Sequence, residues 1–314
     1  MITPAGRFAP SPTGELHLGN LRTALVAWLS ARSHGRGFVV RMEDLDRVTS
    51  SAANEREQLR ALEALGIDWD GEVIRQSDRF AIYDDAIATL TAAGRTYECF
   101  CTRREIRDAI SAPHDGPASS VLIADGAYPG TCRRLTTKQV ADLRAEGRRP
   151  ATRLRAGGVM ASVVDELHGA VAGVVDDVVL RRNDGVPAYN LAVVVDDAAQ
   201  GIAEVVRGDD LLSSTPRQVL LQQLLGLPTP TYVHVPLVLG ADGVRLAKRH
   251  GAVTLTQLAA LGIDGAATLA LLATSLGLAE TGQAPSARDL IGRFDLRAIQ
   301  REPWVLPANL QRSE

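Results

Sequence analysis

Three groups of residues in this 314-residue chain have the types and spacing to do chemistry. The first is His17-Leu18-Gly19-Asn20. It lies where a short strand, Arg7 to Pro10, and the turn-forming run Pro10-Ser11-Pro12-Thr13-Gly14 give way to a helix. A helix N-terminus offers unpaired N–H groups and a positive dipole end to a phosphate. Glycines such as Gly14 and Gly19 let a ligand approach the backbone, and a histidine can donate to phosphoryl oxygens as charge builds there. The second group is Arg245-Leu246-Ala247-Lys248-Arg249. The chain uses arginine for nearly every positive charge and keeps only two lysines, Lys138 and Lys248. A retained lysine is a candidate for work that needs a compact ammonium, and in a mobile loop it can clamp a triphosphate. The third group is Cys99-Phe100-Cys101 with Tyr128-Pro129-Gly130-Thr131-Cys132. An odd, clustered set of cysteines is poor material for a disulfide framework. Three soft ligands suit zinc, with inert core cysteines as the plain alternative.

These groups need elements to hold them. Leu21, Ala24, Leu25, Trp28 and Leu29 recur at helical spacing, and Gly35 and Gly37 stop that helix. Phe38-Val39-Val40 is a buried strand, with Glu43-Asp44-Leu45-Asp46 leaving its end. Helices are predicted over 52–65 and 78–93. The alternation argues for a parallel sheet with helices on its faces. Residues 97–160 break the rhythm and read as an inserted subdomain. The α/β pattern resumes with Val174 to Leu180, the turn Asn183-Asp184-Gly185, the apolar run Leu191 to Val195 and a strand from Ala203 to Val206. Thr215 and Pro216 read as N-cap and first helical residue, and Tyr232 to Leu239 as the last clear strand. After Gly251 the chain reads as helical. The expected division is therefore 1–96 and 161–250 as two halves of one catalytic domain, 97–160 as the insert, and 251–314 as a helical appendix.

The run Arg7-Phe8-Ala9-Pro10-Ser11-Pro12-Thr13-Gly14-Glu15-Leu16-His17-Leu18-Gly19-Asn20 resembles the first signature of class I aminoacyl-tRNA synthetases, and within them the glutamyl branch. Arg245 to Arg249 resembles a degenerate form of the second signature, K-M-S-K-S, with Lys248 at the catalytic lysine and departures at Arg245 and Ala247. Ala188 to Asp197 and Val206 to Leu212 are similar to the same branch. The resemblance covers about residues 5 to 250. It implies a doubly wound, Rossmann-like α/β catalytic domain with an inserted zinc-binding, acceptor-like subdomain and a short helical C-terminal region. It assigns catalysis to His17 and Lys248, ATP binding to these two with Gly19 and Asn20, and glutamate binding to Arg7, Ser11, Glu43, Tyr189 and Arg207. The chemistry suits them: a substrate with two carboxylates needs cations, arginine's planar fork grips a carboxylate in two places, and a glutamate side chain holds an ammonium. No nucleophilic side chain is required, because the substrate carboxylate attacks the α-phosphate of ATP. Magnesium would arrive with ATP.

The set C-x-C followed by Y-x-x-x-C is similar to the glutamyl-queuosine tRNA(Asp) synthetase family, which adds Tyr128 to Cys99, Cys101 and Cys132 as zinc ligands. His114, in the spacer, competes with Tyr128 for that place. Full glutamyl-tRNA synthetases continue into a large helical region that reads the anticodon, whereas this sequence stops at Glu314. The resemblance therefore implies glutamate activation without tRNA, followed by transfer to queuosine in the anticodon loop of tRNA(Asp). The alternatives are a truncated glutamyl-tRNA synthetase charging the 3′ end of tRNA(Glu), a ligase of the same fold with a small-molecule acceptor, and a non-catalytic zinc- and RNA-binding paralogue.

Composition bounds these readings. With 46% hydrophobic and 23% charged residues and a formal charge of −3, the chain is ordinary globular protein and not a polyanion-binding blanket. The basic stretch Arg133, Arg134, Lys138, Arg144, Arg148, Arg149, Arg153 and Arg155 faces only Asp142 and Glu146, and is a candidate phosphate-binding surface or a solvated face. No secretory h-region or bilayer-length apolar run is present, so a cytoplasmic monomer with no membrane partner is expected.

Overall fold

A computed structural model describes residues 4–102, 104–106, 122–123, 128–240, 242–246, 254–307 and 310. In chain order the strands and helices begin β1 (Ala5–Phe8), α1 (Leu18–Ser33), β2 (Gly37–Met42), α2 (Ala52–Ala64), β3 (Ile74–Arg75) and α3 (Phe80–Ala92). They continue with β4 (Thr96–Cys99), β5 (Leu122–Ile123), α4 (Thr137–Ala145), β6 (Ala151–Leu154), β7 (Met160–Asp165), β8 (Gly169–Val174), β9 (Val179–Arg181) and α5 (Tyr189–Ala199). The last are β10 (Ile202–Gly208), α6 (Thr215–Leu225), β11 (Thr231–Val235), β12 (Val238–Leu239), α7 (Leu255–Ala260), α8 (Gly265–Ser275), α9 (Ala287–Ile291) and β13 (Trp304–Val305).

The chain forms two compact units, one from Met1–Asp78, Gly201–Asp210 and Pro230–Glu314, the other from Arg79–Gln200 and Leu211–Thr229. In the first, parallel strands pair in the order β3-β2-β1-β10-β11. Helix α1 buries Leu18, Leu21, Leu25, Trp28 and Leu29, and packs on β1, β2 and β10. It approaches β1 so closely that a Cβ on Gly6 would meet the Ala31 methyl at 3.0 Å, which is why a strand otherwise rich in large residues carries glycine there. Arg22, on the same helix, is 1% exposed. It donates to Pro236 O at 3.2 Å and to Ser275 Oγ at 3.2 Å, linking α1 to the chain after β11 and to α8.

The second unit has an antiparallel sheet of order β4-β6-β9 and an antiparallel β7–β8 hairpin, with α3, α5 and α6 packed together. Residues 97 and 160 both lie in this unit, where β6 pairs with β4 on one side and β9 on the other. Its buried polar centre is Asp177. The carboxylate accepts from Tyr97 Oη at 2.7 Å, Arg133 Nε at 2.5 Å and Ala156 N at 2.9 Å. Asp176, beside it, accepts from Tyr128 N at 2.8 Å and Arg217 Nε at 2.6 Å. These bonds explain why the chain leaves the ladder between Val174 and Val179, where it sends two carboxylates inward.

Smaller differences also have physical causes. Ser214, not Thr215, is the N-cap of α6, its hydroxyl donating to Leu211 O at 2.7 Å, and Pro216 is the second helical residue. The predicted strand from Tyr232 to Leu239 divides at Pro236, which has no N–H to give a ladder. From Leu255 the chain runs through the helices α7, α8 and α9, but Trp304–Val305 then pairs in parallel with Val238–Leu239.

Asp177 yields the first prediction. Burial alone would push its carboxyl up, but Arg133, Tyr97 and the Ala156 N–H outweigh that and hold it below the ordinary value. A carboxylate depressed in the folded state stabilises fully above the unfolded value, near pH ~4; the contribution is lost as pH falls through the folded one. Asp177→Ala leaves buried donors without an acceptor and is expected to cost about 3 kcal/mol at pH 7. Urea unfolding should show that deficit shrinking as the pH falls below 4.

Candidate active site

The imidazole of His17 is set by the cap of α1. His17 is the N-cap, with φ −84 and ψ 165. Its Nδ1 accepts from Asn20 N at 3.3 Å, and its own N–H donates to Asn20 Oδ1 at 3.2 Å. This reciprocal box satisfies two groups at the helix end. Gly19 completes it, since a Cβ there would lie 2.9 Å from His17 Cε1 and 3.0 Å from Nδ1. Only a residue without a side chain lets the ring lie across the first turn. Burial, and then the positive charge of Arg245, lower the His17 pKa to about 4. At neutral pH the ring is uncharged, and because Nδ1 accepts, the proton sits on Nε2. His17 thus offers an N–H donor at a helix N-terminus, without the desolvation cost of a cation.

The turn before it is held from α2. Gln58, 2% exposed, donates through Nε2 to Ser11 O at 3.0 Å and Gly14 O at 2.7 Å. Asn54 Nδ2 and Ser51 N both donate to Pro12 O, at 3.2 Å and 3.0 Å. Turns rich in proline leave carbonyls that cannot pair with one another, and the N-cap and two further residues of one helix supply the donors. Sequence reasoning missed them; the polar spacing Ser51, Asn54, Gln58 on a helix face is the signal it could have used.

Lys248 lies outside the described residues, but both flanks of its segment are described. On one side Leu239 and Arg245 form an antiparallel bridge, and Arg245 pairs with Asp210. On the other, Thr254 forms an antiparallel bridge with His17 itself. The segment that carries Lys248 therefore ends at the residue it is predicted to work with.

Arg7, Glu43 and Arg207 sit at the C-terminal ends of parallel strands, where ligands of open α/β sheets bind. Arg7, on β1, is 4% exposed and donates to Val206 O at 3.0 Å across to β10. Arg207, on β10, is 5% exposed and donates through Nε to His234 Nε2 at 2.9 Å. Glu43 follows β2; its N–H donates to Pro10 O at 2.9 Å and its carboxylate pairs with the buried Arg41 at 3.3 Å. Ser11 is exposed in the turn. Tyr189 opens α5 in the second unit and is 37% exposed. His234 was not among the predicted residues, although a histidine inside the apolar strand Thr231–Val235 marks it.

In the second unit the cysteines converge. The Sγ atoms of Cys99, Cys101 and Cys132 lie within 4.8 Å of one another, with Cys101 and Cys132 3.4 Å apart. The Tyr128 hydroxyl is 3.3 Å from Cys99 Sγ and 3.5 Å from Cys101 Sγ. Four donors this close fit a tetrahedral soft-metal set. The Arg153 guanidinium lies 3.7 Å from the centroid of the Tyr128 ring. Burial pushes Cys99 up, but the Tyr128 hydroxyl and the positive charge of Arg153 bring it below the ordinary thiol value; burial raises Cys101 to about 12. His114, the competing ligand, lies outside the described residues. Much of the basic stretch is paired with acidic residues of the same unit. Arg133 pairs with Asp177, Lys138 with Asp142, Arg144 with Glu98 and Arg148 with Glu105, while Arg155 donates to Arg133 O and Thr96 O. Those charges serve the unit's own structure before any phosphate.

Comparison with known proteins adds the following. The family described as tRNA synthetases class I (E and Q), catalytic domain, matches residues 5–301. The chain is 58% identical to a Glutamyl-Q tRNA(Asp) synthetase of Nocardia farcinica, over 100% of this chain and 97% of that one. It is 45% identical to a Glutamyl-Q tRNA(Asp) synthetase of Symbiobacterium thermophilum, over 96% of each. Among solved structures, a glutamate tRNA ligase from Elizabethkingia meningosepticum in complex with its amino acid aligns with a TM-score of 0.81 at 28% identity, covering 98% of this chain and 68% of that one.

The cap geometry is open to direct test. NMR of the histidine ring nitrogens should show His17 as the Nε2–H form at pH 7, titrating near pH 4. In Asn20→Ala the bond from the His17 N–H to the side chain is gone, but the backbone N–H of residue 20 still reaches Nδ1, so the Nε2–H form should persist.

Proposed function

The chain belongs to the class I tRNA synthetases of the glutamate and glutamine group, and within it to the Glutamyl-Q tRNA(Asp) synthetases, and from that membership we propose that it joins L-glutamate to ATP without tRNA and then transfers the glutamyl group to queuosine in the anticodon loop of tRNA(Asp). In the first step a carboxylate oxygen of glutamate attacks the α-phosphorus, the bond to the bridging oxygen breaks, and pyrophosphate leaves. In the second a hydroxyl of the acceptor displaces AMP from the glutamyl carbonyl and gives up its proton. The enzyme works by positioning and by charge stabilisation, not through a covalent intermediate.

The observation that carries this reading is the state of His17, a neutral imidazole whose Nε2–H is left to donate at the start of α1. Such a donor can follow charge onto the phosphoryl oxygens. Gly19 and Asn20 hold it and line the same helix start for ATP. Lys248 supplies the ammonium for the leaving pyrophosphate, and magnesium accompanies ATP, held chiefly by its phosphates. Arg7 and Arg207 take the carboxylates of glutamate and Glu43 its ammonium, and Ser11 and Tyr189 are further glutamate-binding residues. Cys99, Cys101, Tyr128 and Cys132 would hold one structural zinc, with Arg153 packed over the Tyr128 ring. No helix among the described residues is long and apolar enough to cross a membrane, and we take the enzyme to be a cytoplasmic monomer.

Glutamate-dependent ATP–pyrophosphate exchange without tRNA is the expected activity, with Lys248→Ala slowing it roughly a hundredfold or more. Exchange that requires tRNA(Glu) would instead favour a truncated glutamyl-tRNA synthetase. Metal analysis should find about one zinc per chain, bound through the expected four-ligand site. Cys101→Ser should lose most of it; zinc well below one in the parent protein would remove the site.

A further inference from the structure

Arg207 and His234 are register partners on the adjacent parallel strands β10 and β11. His234 is 0% exposed, and its Nε2 accepts from Arg207 Nε at 2.9 Å. A guanidinium only donates, so this Nε2 carries a lone pair and the ring proton sits on Nδ1. The ring of Tyr232 lies 5.3 Å from the Arg207 guanidinium carbon. Tyr232 and His234 are themselves stacked, with centroids 6.0 Å apart and planes 13° from parallel. One aromatic therefore sets the tilt of the guanidinium plane, and the other sets its rotation within that plane.

The rotation matters. A guanidinium can grip a carboxylate side-on, through Nε–H and one Nη–H, or end-on, through Nη1 and Nη2. In Arg207 the Nε–H is given to His234, so a carboxylate that this guanidinium grips cannot be held side-on. We propose that His234 is a positioning residue for amino-acid recognition: with Tyr232 beneath, it commits Arg207 to the end-on fork and so fixes how one substrate carboxylate is held. This rests on the reading of Arg207 as a glutamate-binding residue. A lysine at 207 could not respond to such a partner, since an ammonium has no fork to select.

The test is glutamate-dependent exchange measured over a range of glutamate and of ATP. Arg207→Ala should raise the KM for glutamate. His234→Leu should raise it about tenfold through the lost charge-assisted bond and the loosened fork, with the KM for ATP unchanged. His234→Gln, whose side-chain oxygen accepts at a similar reach, should recover most of the loss. In an Arg207→Ala background, His234→Leu should add nothing. Should His234→Leu fail to fold, His234→Asn takes its place, being polar but short of Arg207, and the same rise is expected. If Arg207→Ala leaves the glutamate KM alone, the glutamate-binding reading of Arg207 fails. If Arg207→Ala raises it, the proposal for His234 is overturned by any of three results: no rise in His234→Leu, no recovery in His234→Gln, or an undiminished rise in the double variant.

Discussion

A guanidinium taken out of water must find hydrogen-bond acceptors in place of those it loses, and several arginines in this chain are buried under that condition. Arg7, Arg22, Arg41, Arg153 and Arg207 are each 6% exposed or less. Their acceptors are mostly backbone carbonyls or side chains far off in sequence. Arg7 reaches Val206 O, Arg22 reaches Pro236 O, and Arg153 reaches Asp177 O. Burial lowers Arg22 to about 10, which leaves it charged at neutral pH. Each such bond ties segments that the chain must bring together before the charge can be covered. The strands that end at the candidate site are thus held in place partly by the same residue type that is proposed to grip the substrate there.

The alternation of apolar segments made the parallel sheet legible, because its period depends only on which side chains face a layer. The helix from Leu18 to Ser33 was legible for the same reason, and for the glycine that stops it. What lay beyond the sequence were the positions set by long-range polar bonds. The interruption between Val174 and Val179 follows from Asp176 and Asp177 turning toward Tyr128, Tyr97 and Arg133, partners about forty or more residues away. The pairing of Trp304–Val305 with Val238–Leu239 joins segments with no local pattern in common.

At the site the contrast is similar. His17, Gly19 and Asn20 form one contiguous signature, and their three roles in a single cap could be read from a short window. Gln58 and His234 could not be found that way. Each acts through a residue already singled out, Gln58 on the turn that contains Ser11 and His234 on Arg207, and neither belongs to the motifs read in the sequence. The basic stretch from Arg133 to Arg155 shows a different limit. Its charge was plain, but its partners, Asp177, Glu98 and Glu105, lie outside the stretch and leave much of it internally neutralised.

The cap of α1 has a consequence for how this protein can change. Histidine is not among the strong N-caps, and serine, aspartate or asparagine at such a position gains about 1 kcal/mol over a poor one. Position 17 is therefore a place where a screen for heat resistance, blind to turnover, would reward replacement. Aspartate would seal the helix end better and would also put an anion where a triphosphate has to sit. The cap and the proposed donor are one side chain, so any residue that replaces His17 has to do both jobs at whatever temperature the protein works.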